Sequence, residues 1–357
     1  MTTFFVGTYP PEGLGAPVGH GEGVWRTNIG VDGLVTASQI TAEPAPSFVV
    51  AHPRRALLYA VEEADPTSLV VWDVSEVPRE VARVELGGAY GCHAVIAPDG
   101  ATIYVSHYGT GEVNVIPLAV DGTPQSTTPA QTISHTGSGP RLDRQEGPHA
   151  HSAAFAPGGR HLVVADLGTD ELRRYSVGKD GRLDEAGIAA TLPPGSGPRH
   201  LAVRGDLLYV VCELDHRLRT LRWDRVSATA EVIAEQPITL APQRTGDAVS
   251  GAHVDLVHRD AGDMLLVSVR GADVISVFDV APEGELTYRA AFDAGYWPRH
   301  FAVVGDHLVV GAERGHEVRA YALADVAALP PETESGAVAS LHYLSAKVTS
   351  PACIVPA

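Results

Sequence analysis

Histidine, arginine and glutamate recur at two places within short strand-like segments of this chain. His93, His151, Arg199, His253 and Arg299 stand at or near the starts of apolar segments, while Tyr9, Glu62, His107, Glu213, Arg270 and Glu313 follow the next apolar run. Imidazole exchanges a proton near neutral pH, and guanidinium offers a planar fork of donors to carboxylate or phosphate. Such a set suits acid–base chemistry on an anionic substrate. A plainer assignment competes for each residue. His151 could tie neighbouring strands by a hydrogen bond. Arg199 and Arg299, both in Pro-Arg-His steps, could be structural corners donating to nearby carbonyls. Glu213 and Arg270 could be an ion pair between adjacent units. Joint placement on one face argues for a site more strongly than any single residue does, and that placement depends on the elements carrying them.

Those elements repeat. Pro46-Ser-Phe-Val-Val-Ala-His-Pro leads to Ala56-Leu-Leu-Tyr-Ala-Val-Glu and then Ser68-Leu-Val-Val-Trp-Asp-Val, and the same grammar restarts near 92, 151, 199, 253 and 299. The segments are short, β-branched and bounded by Asp-Gly, Gly-Gly or Gly-Asp turns, so they predict strands, and no helical period competes. Six full copies leave two ends. Phe4-Phe-Val-Gly-Thr-Tyr, Gly23-Val-Trp-Arg-Thr-Asn-Ile and Leu34-Val-Thr-Ala-Ser match the later strands of a unit, and Pro351-Ala-Cys-Ile-Val-Pro matches a first strand. Joined in one sheet they make a seventh copy and remove the exposed edges of an open array. The expected architecture is all-β: a seven-bladed β-propeller of four-stranded antiparallel blades, one domain over 1–357, closed by N- and C-terminal segments sharing a blade. The irregular stretch 121–147 is expected to be an insertion between blades, near or over one face. In such a blade the start of the first strand and the end of the second lie on the same face of the disk, which gathers the polar set at one mouth of the central channel.

Composition narrows the partners. Lys plus Arg number 26 against 43 Asp plus Glu, a formal charge of −17, which argues against a nucleic-acid-binding surface and requires any anion to be caught locally. No stretch approaches the ~20 apolar residues of a membrane span, and the first residues lack a signal-type pattern, so a cytoplasmic protein is expected. Cys92, Cys212 and Cys353 show no metal or disulfide spacing and are expected as buried thiols. Gly21-Glu-Gly, Gly109-Thr-Gly and Gly195-Ser-Gly lack the helix of a phosphate loop, no Gly-x-Ser-x-Gly elbow occurs, and His149 and His151 alternate across a strand. No metal or other cofactor is expected.

Phe5-Val-Gly-Thr-Tyr, Pro148-His-Ala-His-Ser, Val164-Ala-Asp-Leu-Gly-Thr-Asp, Gly195-Ser-Gly-Pro-Arg-His, Glu213-Leu, Ser268-Val-Arg-Gly-Ala-Asp, Pro298-Arg-His-Phe and Cys353-Ile together give the chain a resemblance to the seven-bladed propeller lactonases. That family includes one type of 6-phosphogluconolactonase and the carboxy-muconate lactonising enzymes. The resemblance implies catalytic residues at His151, Arg199, Glu213 and Arg270, with Arg299 an addition. Arg299, His93, Tyr108 and His200 are the candidates for substrate binding. Family members often carry Asn where this chain has Ser268-Val269 and His107. The implied activity is hydrolysis of a sugar-acid lactone, foremost 6-phosphogluconolactone, as in the pentose phosphate pathway. The partner is then a small anionic lactone. His151 would be the general base, Glu213 would orient it or exchange the second proton, and Arg199 and Arg270 would hold the anion or the oxyanion. Two alternatives remain: a carboxy-muconate cycloisomerase, and a non-catalytic propeller that binds a protein or small ligand.

Overall fold

The computed structural model describes residues 2–14, 18–31, 33, 35–41, 46–244, 246–332 and 336–357. Their strands form seven antiparallel sheets arranged as the blades of a ring. Blade I takes Thr2–Thr8, Val24–Ile29 and Val35–Gln39 from the start of the chain and Pro351–Pro356 from its end. The pairing of Phe4 with Pro356 through Gly7 with Cys353 closes the ring, as the terminal sequence segments predict. Blades II to VII begin with inner strands Pro46–Ala51, Gly91–Ile96, Ala150–Phe155, Pro198–Arg204, Ser250–Val257 and Pro298–Val304, at the predicted restarts.

The apolar runs are the second strands, and packing explains their composition. Every residue of Leu207–Cys212 is buried. Leu207, Tyr209 and Val211 face blade VI, whereas Leu208, Val210 and Cys212 face blade IV. A strand covered on both sides has no polar face to alternate with. Among the described residues the buried apolar side chains form seven clusters, one between each pair of neighbouring blades, including the pair that flanks the chain ends. The three cysteines are free and buried.

Two elements depart from the expected plan. The stretch 121–147 is not wholly an insertion, because Gln131–Ile133 is the outermost strand of blade III. Residues 134–149 then lead to blade IV, and Arg144 among them reaches the cavity at the channel mouth. After a short helix, Leu323–Ala327, the strand Val338–Ala339 adds to blade VI in parallel, beside Ala291 and Phe292, before the chain returns to blade VII.

Candidate active site

Inner strands enter the channel through a shared local device. The residue ahead of the first paired position is left-handed at Tyr90 (φ 54°), Gly197 (φ 59°), Trp297 (φ 64°) and Ser350 (φ 45°). The ladder then skips one residue, which is Ser47, Cys92, His151, Arg199 or Arg299 in blades II, III, IV, V and VII, and skips Ala252 and His253 in blade VI. A bulge residue lies outside the ladder and is re-aimed by the extra twist. Cys92, His151, Arg199 and Arg299 accordingly line a cavity at the channel mouth. At Gly197 the left-handed backbone and tight space coincide: a Cβ there would lie 2.4 Å from Leu214 Cγ. The Gly197 carbonyl also accepts the Glu213 N–H at 2.8 Å, tying the two functional segments of blade V together.

The second set comes from the position just past each second strand. Tyr9, Glu63, Tyr108, Glu213 and Glu313 occupy it in blades I, II, III, V and VII, and all line the same cavity, of about 370 Å³. Arg270, the last residue of its strand, reaches in from blade VI, and Arg144 arrives from the segment 134–149.

Glu213 is the hub. Its Oε1 is 2.8 Å from Arg144 Nη2, and its Oε2 is 3.0 Å from Arg199 Nε and 2.9 Å from Arg270 Nη2. Arg270 also donates to Ser250 Oγ at 2.7 Å and Gly251 O at 2.9 Å, Arg199 donates to Ala252 O, and Arg144 donates to Tyr108 Oη at 3.2 Å. The plainer structural assignments therefore coexist with the site: Arg199 does tie two blades together, and Glu213 does pair with Arg270. Across the cavity, Arg299 Nη1 lies 3.0 Å from Glu313 Oε2 and the guanidinium stacks 4.0 Å from the Tyr9 ring. Arg314 lies 3.4 Å over Trp297 and pairs with Asp247 at 3.0 Å. Five arginines against three glutamates leave the wall with an excess of positive charge.

Burial and these neighbours set the protonation states. Burial opposes ionisation of Glu213, but Arg270, Arg144 and Arg199 outweigh it and hold the carboxyl well below its usual range. Burial, reinforced by Arg199, keeps His151 well below the usual imidazole value and therefore neutral. Burial and the adjacent Arg270 lower Arg199 to about 9. Crowded guanidinia of this kind gain from any anion that supplies the missing counter-charge. Cys92 lies beside His151, its Sγ 4.0 Å from Nδ1 and 3.3 Å from the carbonyl oxygen, but burial pushes the thiol far up and leaves no thiolate for nucleophilic work.

His151, Arg199, Glu213, Arg270, Arg299 and Tyr108 thus meet in one cup. His93 and His200 do not line it. Each follows a bulge residue and so sits one step further down the channel. There His93 packs 4.4 Å from Phe48, His200 lies 5.5 Å from His93 and 5.1 Å from His253, and His253 stacks 4.0 Å from His300. Glu62 and His107 also turn away, Glu62 to Arg83 at 3.0 Å and His107 to Asn114 at 2.7 Å, and their successors Glu63 and Tyr108 face the cavity instead. Glu63 was missed although aligning it with Glu213 and Glu313 across the repeats would find it. Arg144 had no such signal. It is placed by tertiary bonds of its segment: His135 Nε2 lies 3.0 Å from Asp166 Oδ2, and Gln145 Nε2 donates to Asp170 Oδ1 at 2.8 Å. Asp170 in turn accepts the Gly195 and Gly197 N–H groups that precede Arg199.

Among the described residues no group of three His, Cys, Asp or Glu side chains is placed to hold a metal ion. Fold and site define a closed propeller with a cationic cup around a neutral imidazole. The chain belongs to the family described as "Lactonase, 7-bladed beta-propeller", whose model matches residues 3–353. It is 30% identical over 312 residues to the 6-phosphogluconolactonase of Bacillus subtilis, with 83% of each chain covered. Among solved structures, a Lactobacillus plantarum protein superposes with a TM-score of 0.84 at 24% identity, covering 100% of this chain and 99% of that one. The periplasmic gluconolactonase of Pseudomonas aeruginosa gives 0.80 at 24% identity, covering 99% and 98%. Both share the fold.

Proposed function

We propose that this chain hydrolyses a negatively charged sugar-acid lactone, with 6-phosphogluconolactone the foremost candidate. The observation that carries this reading is a neutral, buried His151 in the same cup as an excess of arginines. The activity named for the Bacillus subtilis relative supplies the candidate substrate.

Opening a lactone with water requires removal of a water proton, stabilisation of the charge that grows on the carbonyl oxygen, and protonation of the departing ring oxygen. His151 takes the water proton. Arg199 and Arg270 are the donors for the oxyanion. Arg144, whose side chain is 36% exposed, stands nearest solvent and, with Arg314, suits the distal phosphate. Glu213 takes a different part from the one expected of it: clasped by three guanidinia, it is a poor proton carrier and instead orients the arginines.

Acid release from freshly prepared 6-phosphogluconolactone, corrected for spontaneous opening, tests the proposal. The wild type should accelerate release, and Arg199→Ala should lower kcat/KM by about tenfold or more, on the order of 1.4 kcal/mol of transition-state stabilisation. Release at the blank rate contradicts the reading. Turnover of a carboxy-muconate in its place would identify a cycloisomerase.

A further inference from the structure

Three glutamates stand in the wall of the cup, and among the described residues two of them are ion-paired with arginine. Glu213, Glu313 and Glu63 hold the same place in blades V, VII and II, one residue past the second strand. Glu213 binds three guanidinia and Glu313 binds Arg299. Glu63 is 5% exposed, lines the cavity, and its buried Oε2 has no hydrogen-bond partner among the described residues. The groups whose charge or polarity acts on it are the Tyr9 hydroxyl of blade I, the Ser47 hydroxyl of its own blade, and Arg299 and Glu313 of blade VII. Cys92, which touches His151, lines the same cavity as Glu63, so the carboxyl and the imidazole border one cup.

The geometry points to Glu63 as a further catalytic residue, the acid that protonates the ring oxygen as it leaves, an inference that rests on the hydrolytic reading above. Burial raises its carboxyl against the opposing pull of Arg299, which favours the protonated form this role requires. The other two carboxyls of the cup are unsuited to supply that proton. Glu213 is held ionised and Glu313 is committed to Arg299, while burial makes Tyr9 a much weaker acid than an ordinary phenol. In the balanced step, a water proton passes to His151 and the water oxygen bonds to the carbonyl carbon. The bond from that carbon to the ring oxygen breaks, and the ring oxygen takes the Glu63 proton. The imidazolium proton then returns to the Glu63 carboxylate through solvent, and the new carboxylic acid ionises into water. Placing acid and base on different blades lets each keep the protonation state its role needs.

The test is the pH dependence of blank-corrected kcat for the wild type, Glu63→Gln and Glu63→Asp, with Arg199→Ala alongside. Glu63→Gln should lower kcat by about 100-fold with a much smaller change in KM, and should lose the fall in kcat on the alkaline side. Glu63→Asp should recover part of the rate and restore that fall. An infrared difference spectrum between wild type and Glu63→Gln near neutral pH should contain a protonated-carboxyl band, a readout independent of turnover. Wild-type kinetics in Glu63→Gln, an aspartate no better than glutamine, or the absence of that band would overturn the assignment. An active wild type with normal Glu63→Gln kinetics overturns only the role of Glu63, whereas an inactive wild type overturns the hydrolytic reading and the role together.

Discussion

In the proposed hydrolysis the proton chemistry of the cup turns on one imidazole. His151 is buried beside Arg199, and both effects disfavour its cationic form. A base works only when neutral, so lowering its pKa extends the active range toward acid. The rising limb of the wild-type pH profile for kcat should therefore lie below the ordinary imidazole value of about 6.5. A limb at or above that value would mean that His151 is solvated or paired with a carboxylate in the working complex. Glu213 cannot provide such pairing while three guanidinia hold it, which suits it to positioning and not to proton exchange. At this scale sequence was a good guide to residue type and a poorer guide to direction. His151, Arg199 and Arg299 were legible because they start inner strands. The bulges that aim them are not encoded by any one residue, so His93 and His200 were expected in the cup and lie below it, and Glu62 was named where Glu63 reaches the cavity.

Elements that pack on both sides were the most legible part of the chain. Second strands such as Leu207–Cys212 announce themselves because burial against two neighbouring blades demands an unbroken apolar run. Outer strands carry a weaker signal. Gln131–Ile133 pairs along one edge of its blade with side chains only partly covered, and it disappears into a Ser- and Thr-rich stretch. The segment 134–149 is the element through which an irregular sequence gains a function, since it delivers Arg144. Gln145 is buried and bonds both Leu167 O at 2.9 Å and Asp170 Oδ1 at 2.8 Å. Gln145→Ala should free the segment and weaken the grip of Arg144. The account expects KM for an anionic lactone to rise several-fold, with kcat changed less, since binding and not proton transfer is disturbed. An unchanged KM together with a fall in kcat would show that the segment serves the chemical step instead.

The whole molecule places an acidic exterior around a basic cup, and it lines its axis with neutral imidazoles. An anion such as the proposed phosphorylated substrate is repelled by a chain of net charge −17 until it comes within roughly a Debye length, ~8 Å, of the arginines. The histidine column has a separate consequence. Burial lowers His93 and His300 to about 3 and holds His200 and His253 well below the usual value. An unfolded chain takes up protons on these side chains below pH ~6.5 that the folded protein does not. Stability is therefore complete above that pH and falls as acid is added, by as much as about 1.4 kcal/mol per pH unit for each imidazole that stays neutral in the fold. Urea midpoints should drop between pH 7.5 and pH 5, and a flat profile would show that water and protons reach the column. The central claim is that ring closure assembles a cup built to hold an anion. Its most direct test is a crystal structure with 6-phosphogluconate, the product of the proposed hydrolysis: oxygens of the anion are expected within hydrogen-bond distance of Arg199 and Arg270, and an empty cup at saturating ligand, or density only at the opposite end of the channel, would overturn it.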